Sequence, residues 1–174
     1  MTFQIRPARD EDRVALLEQT QLLNRHEEPI TGNRRLDRAG AEASLADAEA
    51  RVARSDGVKL VAEEDGRVVG HLFLTFETAP VYVREAFRPY ALIAELFLRE
   101  DCRGRGLGQA LMAEAERIAV ARGYRQLLVG VQTGNVSAEA AYARFGFAPF
   151  ALDLIKRIGD ASPPEGGAPE SGGS

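Results

Sequence analysis

The hydrophobic and polar positions along the chain follow two periods, and these divide it into strands and helices. Alternation at every second residue, or a short apolar run, predicts a strand, whereas apolar residues three or four positions apart predict a helix. Strands are predicted at 2–7, 58–63, 68–77, 90–98 and 127–131, with at least one more between 147 and 158. Helices are predicted from about residue 10 to a stop at Pro29, and over about 37–54, 107–123 and 137–145. This order, β-α-α-β-β-β-α-β-α-β, predicts an α/β fold whose sheet contains both parallel and antiparallel pairs.

Residues 159–174 differ in composition from the rest of the chain. They are rich in Gly, Pro and Ser and contain no aliphatic residue larger than Ala. Such a segment buries too little apolar surface to offset the entropy of ordering. We therefore predict one domain over residues 1–158 and a flexible tail over residues 159–174, and a length of 174 residues also favours a single domain.

The composition is that of an ordinary globular protein, and it narrows the function classes. The chain is 45% hydrophobic and has a formal net charge of −4, so it lacks the basic balance of a nucleic-acid-binding protein. Its single cysteine, Cys102, rules out an intramolecular disulfide and a cysteine metal site, and His26 and His71 are not spaced as metal ligands. No apolar run approaches the ~18 residues of a membrane span, and the N-terminus lacks a secretory signal pattern. We expect a cytoplasmic protein with no metal, no nucleic-acid partner and no membrane partner.

The most informative segment joins the predicted strand 90–98 to the helix that follows it. It contains glycines at alternate positions, in the order Arg103-Gly104-Arg105-Gly106-Leu107-Gly108. Glycine permits positive φ and close approach of a ligand to the backbone, and the helix N-terminus offers unpaired N–H groups and partial positive charge. Together these features predict a site for a phosphate or pyrophosphate. The two rival nucleotide motifs fit poorly, because Gln109 stands where a P-loop or a dinucleotide fingerprint needs Lys or Gly.

This segment resembles the pyrophosphate-binding turn of the GNAT superfamily of N-acetyltransferases, whose pattern is Gln/Arg-x-x-Gly-x-Gly/Ala. A second segment resembles the same family's pattern Asn-x-x-Ala-x-x-x-Tyr-x-x-x-Gly-Phe, with Asn135, Ala138, Tyr142, Gly146 and Phe147 at its fixed positions. The two motifs stand in the family's order, separated by a predicted helix and strand, and the element order is also similar. The resemblance implies a mixed, mostly antiparallel central sheet with a splayed parallel strand pair, flanked by about four helices.

The resemblance also implies that acetyl-CoA, as co-substrate, lies between the strands 90–98 and 127–131. Backbone groups near the end of the first strand would pair with its pantetheine arm as an added strand does, and the Gly-rich turn would hold its pyrophosphate. A contact between Asn135 and the cofactor, and a plain helix cap, remain alternatives. The cofactor-binding residues predicted in this way are Phe97, Leu98, Arg103, Gly104, Arg105, Gly106, Leu107, Gly108, Gln109, Asn135 and Ala138.

Two side chains are candidates for the chemistry. The resemblance puts Tyr142 beside the cofactor sulfur, where a phenol can protonate the departing thiolate; the alternative is a core tyrosine. Glu95 lies inside an apolar strand, where an unpaired carboxylate is costly. A carboxylate in such surroundings has a raised pKa or a cationic partner, which makes it a candidate base for the amine. If the family's acidic position is instead the one that Ala94 occupies, Glu95 is structural, and Glu77 is the reserve base.

The expected reaction is direct attack on acetyl-CoA, in a ternary complex, by a primary amine of a small molecule or a protein N-terminus. The acceptor pocket is expected near residues 24–38, and its candidate residues are His26, Glu27, Glu28 and Glu77. The alternative is a non-catalytic acyl-CoA-binding regulatory module, which would not need Tyr142. A homodimer is a further hypothesis, because few residues follow the second motif and a neighbouring subunit could supply the last strand.

Overall fold

The structure is a computed structural model, and it describes residues 3–158. The strands are β1 (Phe3–Pro7), β2 (Val58–Glu64), β3 (Arg67–Thr78), β4 (Pro89–Leu98) and β5 (Leu127–Val129). The helices are α1 (Arg13–Thr31), α2 (Arg38–Arg54), α3 (Leu107–Ala121) and α4 (Val136–Phe145). The predicted tail, 159–174, and the first residue of the predicted strand 2–7 lie outside the described residues.

The strands form one sheet in the sequential order β1-β2-β3-β4-β5. The first four strands pair antiparallel, whereas β5 pairs parallel to β4. Parallel neighbours need a crossover connection, and α3 supplies it. The predicted mixed, mostly antiparallel sheet with one parallel pair and four flanking helices is therefore confirmed.

The helices cover the two faces of the sheet, so that the core has two parts. On one face, α1 and α2 pack on β2 and β3 through a cluster of Leu16, Leu45, Val52, Val61 and Phe73. On the other face, α3 packs on β2, β3 and β4 in a larger cluster, against which side chains of α4 also lie. The face under α1 and α2 is thus separated by the sheet from the face under α3.

The hairpin between β2 and β3 forms as its sequence predicts. Asp65 and Gly66 have φ of 49° and 78°, and two successive residues with positive φ are typical of a type I′ turn. Asp-Gly is a favoured pair for this turn, because neither residue pays a large steric cost there.

A β-bulge interrupts β4 at Ala94. Leu74 of β3 is opposite Ile93, but Phe73 is opposite Glu95, so that Ala94 is the extra residue on its strand. The side chains of β4 therefore change sides at this point. Before the bulge, Ala91 and Ile93 face the α3 cluster; after it, Leu96 and Leu98 do.

The helix α1 does not end where the sequence predicts. Pro29 lies inside its last turn, and the helix continues to Thr31. Because Pro29 is so close to the helix end, its missing N–H removes only one hydrogen bond near the terminus. The true end is Gly32, which has φ of 64° and donates its N–H to the carbonyl of Glu28 at 2.8 Å.

The strand expected between residues 147 and 158 does not form, and β5 ends two residues earlier than predicted. The described residues 148–158 carry no strand or helix, and Arg157 lies 3.5 Å from the carbonyl of Thr31. A strand needs a neighbour along its length, and the three residues of β5 offer a short one. The large apolar side chains of this segment are 71–88% exposed: Phe150, Leu152, Leu154, Ile155 and Ile158.

Candidate active site

The Gly-rich turn connects β4 to α3 and exposes the start of that helix. Gly104 and Gly106 have φ of 73° and 89°, values that a residue with a Cβ rarely adopts. The first bond of the helix runs from the Ala110 N–H to the Gly106 carbonyl at 3.0 Å, so the N–H groups of residues 107–109 point out of the helix end. At Gly108 a Cβ would lie 3.1 Å from Cδ1 of Leu98, so a larger residue there would require the leucine side chain to shift. The turn thus has the geometry predicted for an anion site.

The two arginines of this turn are engaged with the protein. Arg103 donates from Nε to the carbonyl of Leu98, the last residue of β4, at 3.2 Å. Arg105 forms a two-pronged ion pair with Glu64 of β2. Glu64 therefore offsets part of the positive charge that the sequence predicts beside the turn, and the backbone N–H groups become the larger part of the predicted anion site.

The parallel pair β4–β5 is short and opens toward the turn. Pairing runs from Ala91 with Leu127 to Ile93 with Val129 and then ends, whereas β4 continues to Leu98. Phe97 and Leu98 lie in this continued part; Phe97 is buried, and Leu98 is half-buried. Whether their backbone pairs with an extended ligand stays a prediction, and the end of pairing at Ile93 leaves the β5 side of this stretch without a strand neighbour in the described chain.

Glu95 lies directly after the bulge, on the face under α1. Its side chain is 14% exposed, and Oε1 lies 2.8 Å from Nε2 of His71 on β3. His71 is fully buried, and its Nδ1 lies 2.8 Å from Oε1 of Gln19 on α1. The carboxylate thus has an ionisable partner, and His71 is a satisfied buried histidine, as its place in an apolar strand suggests.

Tyr142 lies in α4 and packs against the α3 cluster. Its ring meets Phe147 edge-on, with centroids 5.9 Å apart. Burial raises the pKa of the Tyr142 phenol, and the negative charge of Glu27 raises it further. The phenol therefore keeps its proton at neutral pH and can donate it.

Asn135 caps α4, since its Oδ1 accepts a hydrogen bond from the N–H of Ala138 at 3.2 Å. This is the structural role proposed for Asn135, and a contact between Asn135 or Ala138 and a cofactor stays a prediction. At the other end of α4, Gly146 has φ of 108° and closes the helix.

The end of α1 carries the residues predicted for the acceptor pocket. His26 is exposed, and Glu27 and Glu28 are half-buried. Both carboxylates bind Arg34 of the following loop, Glu27 through Nε at 2.7 Å and Glu28 through the backbone N–H. Gly134, in the loop before α4, lies near Ile30 of α1, so this acidic end of α1 borders the element that carries Tyr142.

Glu77 lies apart from Glu95. It is opposite Tyr90 in the register, whereas Glu95 is opposite Phe73, so the two lie roughly 13 Å apart along the strands. Its carboxylate pairs with Arg51 of α2 at 3.2 Å. The structure does not bring Glu77 to the other candidate residues.

Two partners of the candidate residues are not predicted from the sequence. These are Gln19, which binds His71, and Glu64, which binds Arg105. Gln19 gives a signal in its spacing, because it lies three residues after Leu16 on the face that α1 buries. No such signal exists for Glu64, which reaches Arg105 only through the folded sheet.

Neither a membrane helix nor a metal cluster is found in the described part of the chain. No helix within residues 3–158 is long and apolar enough to cross a membrane. In the same residues, no group of three or more His, Cys, Asp or Glu side chains is arranged to hold a metal ion.

Comparison with known proteins relates this geometry to a family. A curated relative, "Putative phosphinothricin acetyltransferase YwnH" of Bacillus subtilis (strain 168), is 33% identical over 90 residues, which are 52% of this chain and 52% of that protein. The match thus spans about half the length of the curated relative. A GCN5-related N-acetyltransferase from Ralstonia eutropha JMP134 has the same fold, with a TM-score of 0.70 and 24% identity over 90% of this chain and 99% of its own.

A second solved structure is AAC(6')-Iy in complex with the bisubstrate analog CoA-S-monomethyl-acetylneamine. It aligns with a TM-score of 0.65 and 19% identity, over 91% of this chain and 99% of its own. The profile of the Acetyltransferase (GNAT) family matches residues 20–147, which include the sheet from β2 onward, the Gly-rich turn and all of α4. The chain therefore belongs to the GNAT family of acetyltransferases.

Proposed function

We propose that this acetyltransferase transfers the acetyl group of acetyl-CoA to a primary amine by direct attack in a ternary complex. The observation that carries the direct route is the state of Cys102, the only cysteine in the sequence. It is 4% exposed, and burial raises the pKa of its thiol. A buried thiol that resists ionisation is a poor nucleophile, so an acyl-cysteine intermediate has no suitable residue, and the amine attacks the thioester itself.

The GNAT family uses acetyl-CoA, and the residues of the Gly-rich turn fit its pyrophosphate. The fit rests on the outward N–H groups at the start of α3 and on the positive φ of Gly104 and Gly106, which leaves the backbone of the turn open to close approach by an anion. The proposed contacts to acetyl-CoA are the backbone of Phe97 and Leu98, the turn from Arg103 to Gln109, and Asn135 with Ala138. When bound, acetyl-CoA supplies an activated thioester carbonyl.

We assign the base to Glu95. An ammonium ion is not a nucleophile, so a group beside the acceptor must take its proton. Glu95 is a carboxylate with a partly exposed side chain on β4, just beyond the point where β5 stops pairing. Ala94 has no ionisable group, and the ion pair of Glu77 with Arg51 makes Glu77 a poorer candidate.

We assign the acid to Tyr142. The departing thiolate is stabilised when a neighbouring group donates a proton to it. Burial and Glu27 both raise the pKa of Tyr142 and so keep the phenol protonated. A regulatory module that only binds acyl-CoA would have no use for such a proton donor.

The acceptor is proposed to enter beside the end of α1, where Glu27 and Glu28 lie. Their contacts with Arg34 hold this loop in place, and their carboxylates favour a cationic amine. A primary amine of a small molecule or of a protein N-terminus fits this site. The name of the Bacillus subtilis relative makes phosphinothricin the first amine to test.

A homodimer is proposed through residues 148–158. These residues expose five large apolar side chains without forming a strand, and exposed apolar patches of this kind mark interaction sites.

A free thiol at Cys102 fits a cytoplasmic location, which we also propose.

The experiment is a steady-state analysis in which acetyl-CoA and the amine are varied together, after calorimetry with acetyl-CoA, CoA, ATP and NADH. Intersecting double-reciprocal lines and an active Cys102→Ala variant support direct attack. Parallel lines, or loss of turnover in Cys102→Ala with acetyl-CoA binding intact, contradict it. Binding of acetyl-CoA without turnover of any amine would favour the regulatory module.

A further inference from the structure

The buried histidine beside Glu95 has a partner at each of its two ring nitrogens. Both ring nitrogens of His71 lie 2.8 Å from an oxygen, one of Gln19 and the other of Glu95. The ring is fully buried; it lies tilted against Phe73 and stacks on Phe97, with centroid distances of 5.0 and 5.9 Å. The ring cannot reorient without losing these contacts. The protonation of each ring nitrogen must therefore match the oxygen that it faces.

Glu95 is the ionisable group that meets this ring. From α1 the neighbour is the neutral amide of Gln19, and from β2 the residue opposite His71 is Val61. The adjacent Glu18 of α1 is engaged with Arg99 at 2.8 Å. The proton balance of His71 therefore depends on Glu95.

The amide of Gln19 fixes which nitrogen of His71 carries hydrogen. Nε2 of Gln19 donates to the carbonyl of Val68 at 3.0 Å, and a flipped amide would set two oxygens against each other. Oε1 of Gln19 therefore faces His71, and an amide oxygen only accepts hydrogen bonds. It follows that Nδ1 of His71 carries a proton.

The contact between His71 and Glu95 then needs a proton of its own. With Nδ1 protonated, neutral imidazole presents a lone pair at Nε2, and a carboxylate oxygen also presents only lone pairs. Two acceptors do not approach to 2.8 Å without a hydrogen between them. The pair therefore holds one shared proton, either as imidazolium with carboxylate or as imidazole with carboxylic acid.

We propose that the base of this enzyme is the pair Glu95–His71 rather than Glu95 alone, with His71 as the positioning residue that stores the proton. The inference rests on the proposed function, in which Glu95 takes the proton of the amine. Gln19 holds the tautomer in which Nε2, and not Nδ1, is the nitrogen open to that proton.

The structure shows the pair with its proton stored, and the step begins once that proton has left through the partly exposed side chain of Glu95, which leaves neutral imidazole and carboxylate. The amine N–H bond breaks and a proton bonds to a carboxylate oxygen of Glu95; this proton then passes to Nε2 of His71. The imidazole becomes imidazolium and Glu95 returns to carboxylate. Nδ1 keeps its own proton, which it donates in a hydrogen bond to Oε1 of Gln19. Because the side chain of Glu95 is partly exposed, the stored proton returns through it to solvent before the next turnover.

The first test is the titration of the imidazole nitrogens by ¹⁵N NMR, which needs no turnover. The chain has two histidines, so a His26→Asn variant leaves the signals of His71 alone. We expect Nδ1 to carry the proton of the neutral ring, and we expect the Nε2 signal to show a proton shared with Glu95 that Glu95→Gln removes. A neutral ring with its proton on Nε2 instead, or an Nε2 signal that Glu95→Gln leaves unchanged, would overturn the inference.

The second test is the pH dependence of kcat in His71→Gln. The glutamine amide can still donate a hydrogen bond to Glu95, but it cannot store a proton. We expect kcat to fall about 10-fold or more, with the acidic limb of the profile moved to lower pH and KM for acetyl-CoA unchanged.

Val61→Ala is the matched control, because it removes a buried side chain opposite His71 in the register. It should lower stability and leave the acidic limb in place. A His71→Gln enzyme that keeps the wild-type kcat and limb would refute the inference while the proposed function stands. Failure of the wild-type protein to acetylate any amine would instead refute the proposed function.

Discussion

Replacement of Tyr142 by Phe is the sharpest test of the proposed acid. The phenylalanine ring can keep the edge-on contact with Phe147, and the change removes only a hydroxyl. Because burial and Glu27 raise the pKa of the phenol, nearly every wild-type molecule carries this proton at neutral pH. The variant should therefore lose the whole contribution of the acid and little stability.

The expected loss in kcat is on the order of 10²-fold to 10³-fold, which lies within the usual range for a positioned acid. This corresponds to about 3–4 kcal/mol of transition-state stabilisation. KM for acetyl-CoA and the melting temperature should stay close to their wild-type values. The wild-type kcat should also fall at alkaline pH, above the ordinary value of 10 for tyrosine because the pKa is raised, and Tyr142→Phe should lack this fall.

The assay is the release of free CoA thiol at saturating amine, followed in parallel with thermal unfolding of both proteins. Wild-type kcat in the Phe variant would refute the assignment of Tyr142 as acid. A low kcat that comes with a large loss of stability would show that the tyrosine is a core residue instead, which is the alternative that the sequence leaves open.

Three further predictions concern the turn, the first helix and the C-terminal segment. Gly106→Ala should lower the free energy of unfolding by about 1–2 kcal/mol, because the alanine must adopt a positive φ even though no atom lies within 4 Å of the new Cβ. The same change should weaken acetyl-CoA binding in calorimetry. A variant with wild-type stability and wild-type affinity would contradict this prediction. Hydrogen bonds from Arg6 lower the pKa of Asp12, so the stability that this pair contributes is present above the ordinary value of 3.8 and is lost as pH falls through the folded value. Asp12→Asn should cost about 3 kcal/mol at neutral pH and should flatten the acid limb of a denaturation series. Lysines in place of the exposed leucines of residues 148–158 should convert a dimer to a monomer in analytical ultracentrifugation, and a wild-type monomer at high concentration would refute the dimer.

Local patterns predict the elements well where local chemistry decides them. The Asp65-Gly66 hairpin and the Gly-rich start of α3 both form as expected, because each depends on backbone conformations that few residue types adopt. Pro29 misleads because its effect depends on distance from the helix end, which the residue itself does not indicate. The strand expected after Phe147 fails for a different reason, since a strand depends on a neighbour and not on its own alternation.

In the candidate site, too, features formed by consecutive residues can be predicted from the sequence, whereas contacts between distant residues cannot. The backbone conformation of the Gly-rich turn can be predicted because all its residues are consecutive. The ion pair of Arg105 with Glu64 and the contact of Glu95 with His71 join residues that are far apart in sequence. The sequence indicates that Glu95 needs a partner, but only the register of β3 against β4 decides which side chain that is.

The bulge at Ala94 determines which side chains of β4 face the α3 cluster and which face α1. Counted in strict alternation from Ala91 and Ile93, the next residue toward the α3 core would be Glu95, and Leu96 would face His71. One added residue reverses this order, so that leucine enters the core and the carboxylate reaches the imidazole. A strand that paired Ala94 in regular alternation, without the bulge, would keep the composition of β4 but bury Glu95 among the hydrophobic side chains of the α3 cluster and leave Nε2 of His71 without its carboxylate partner.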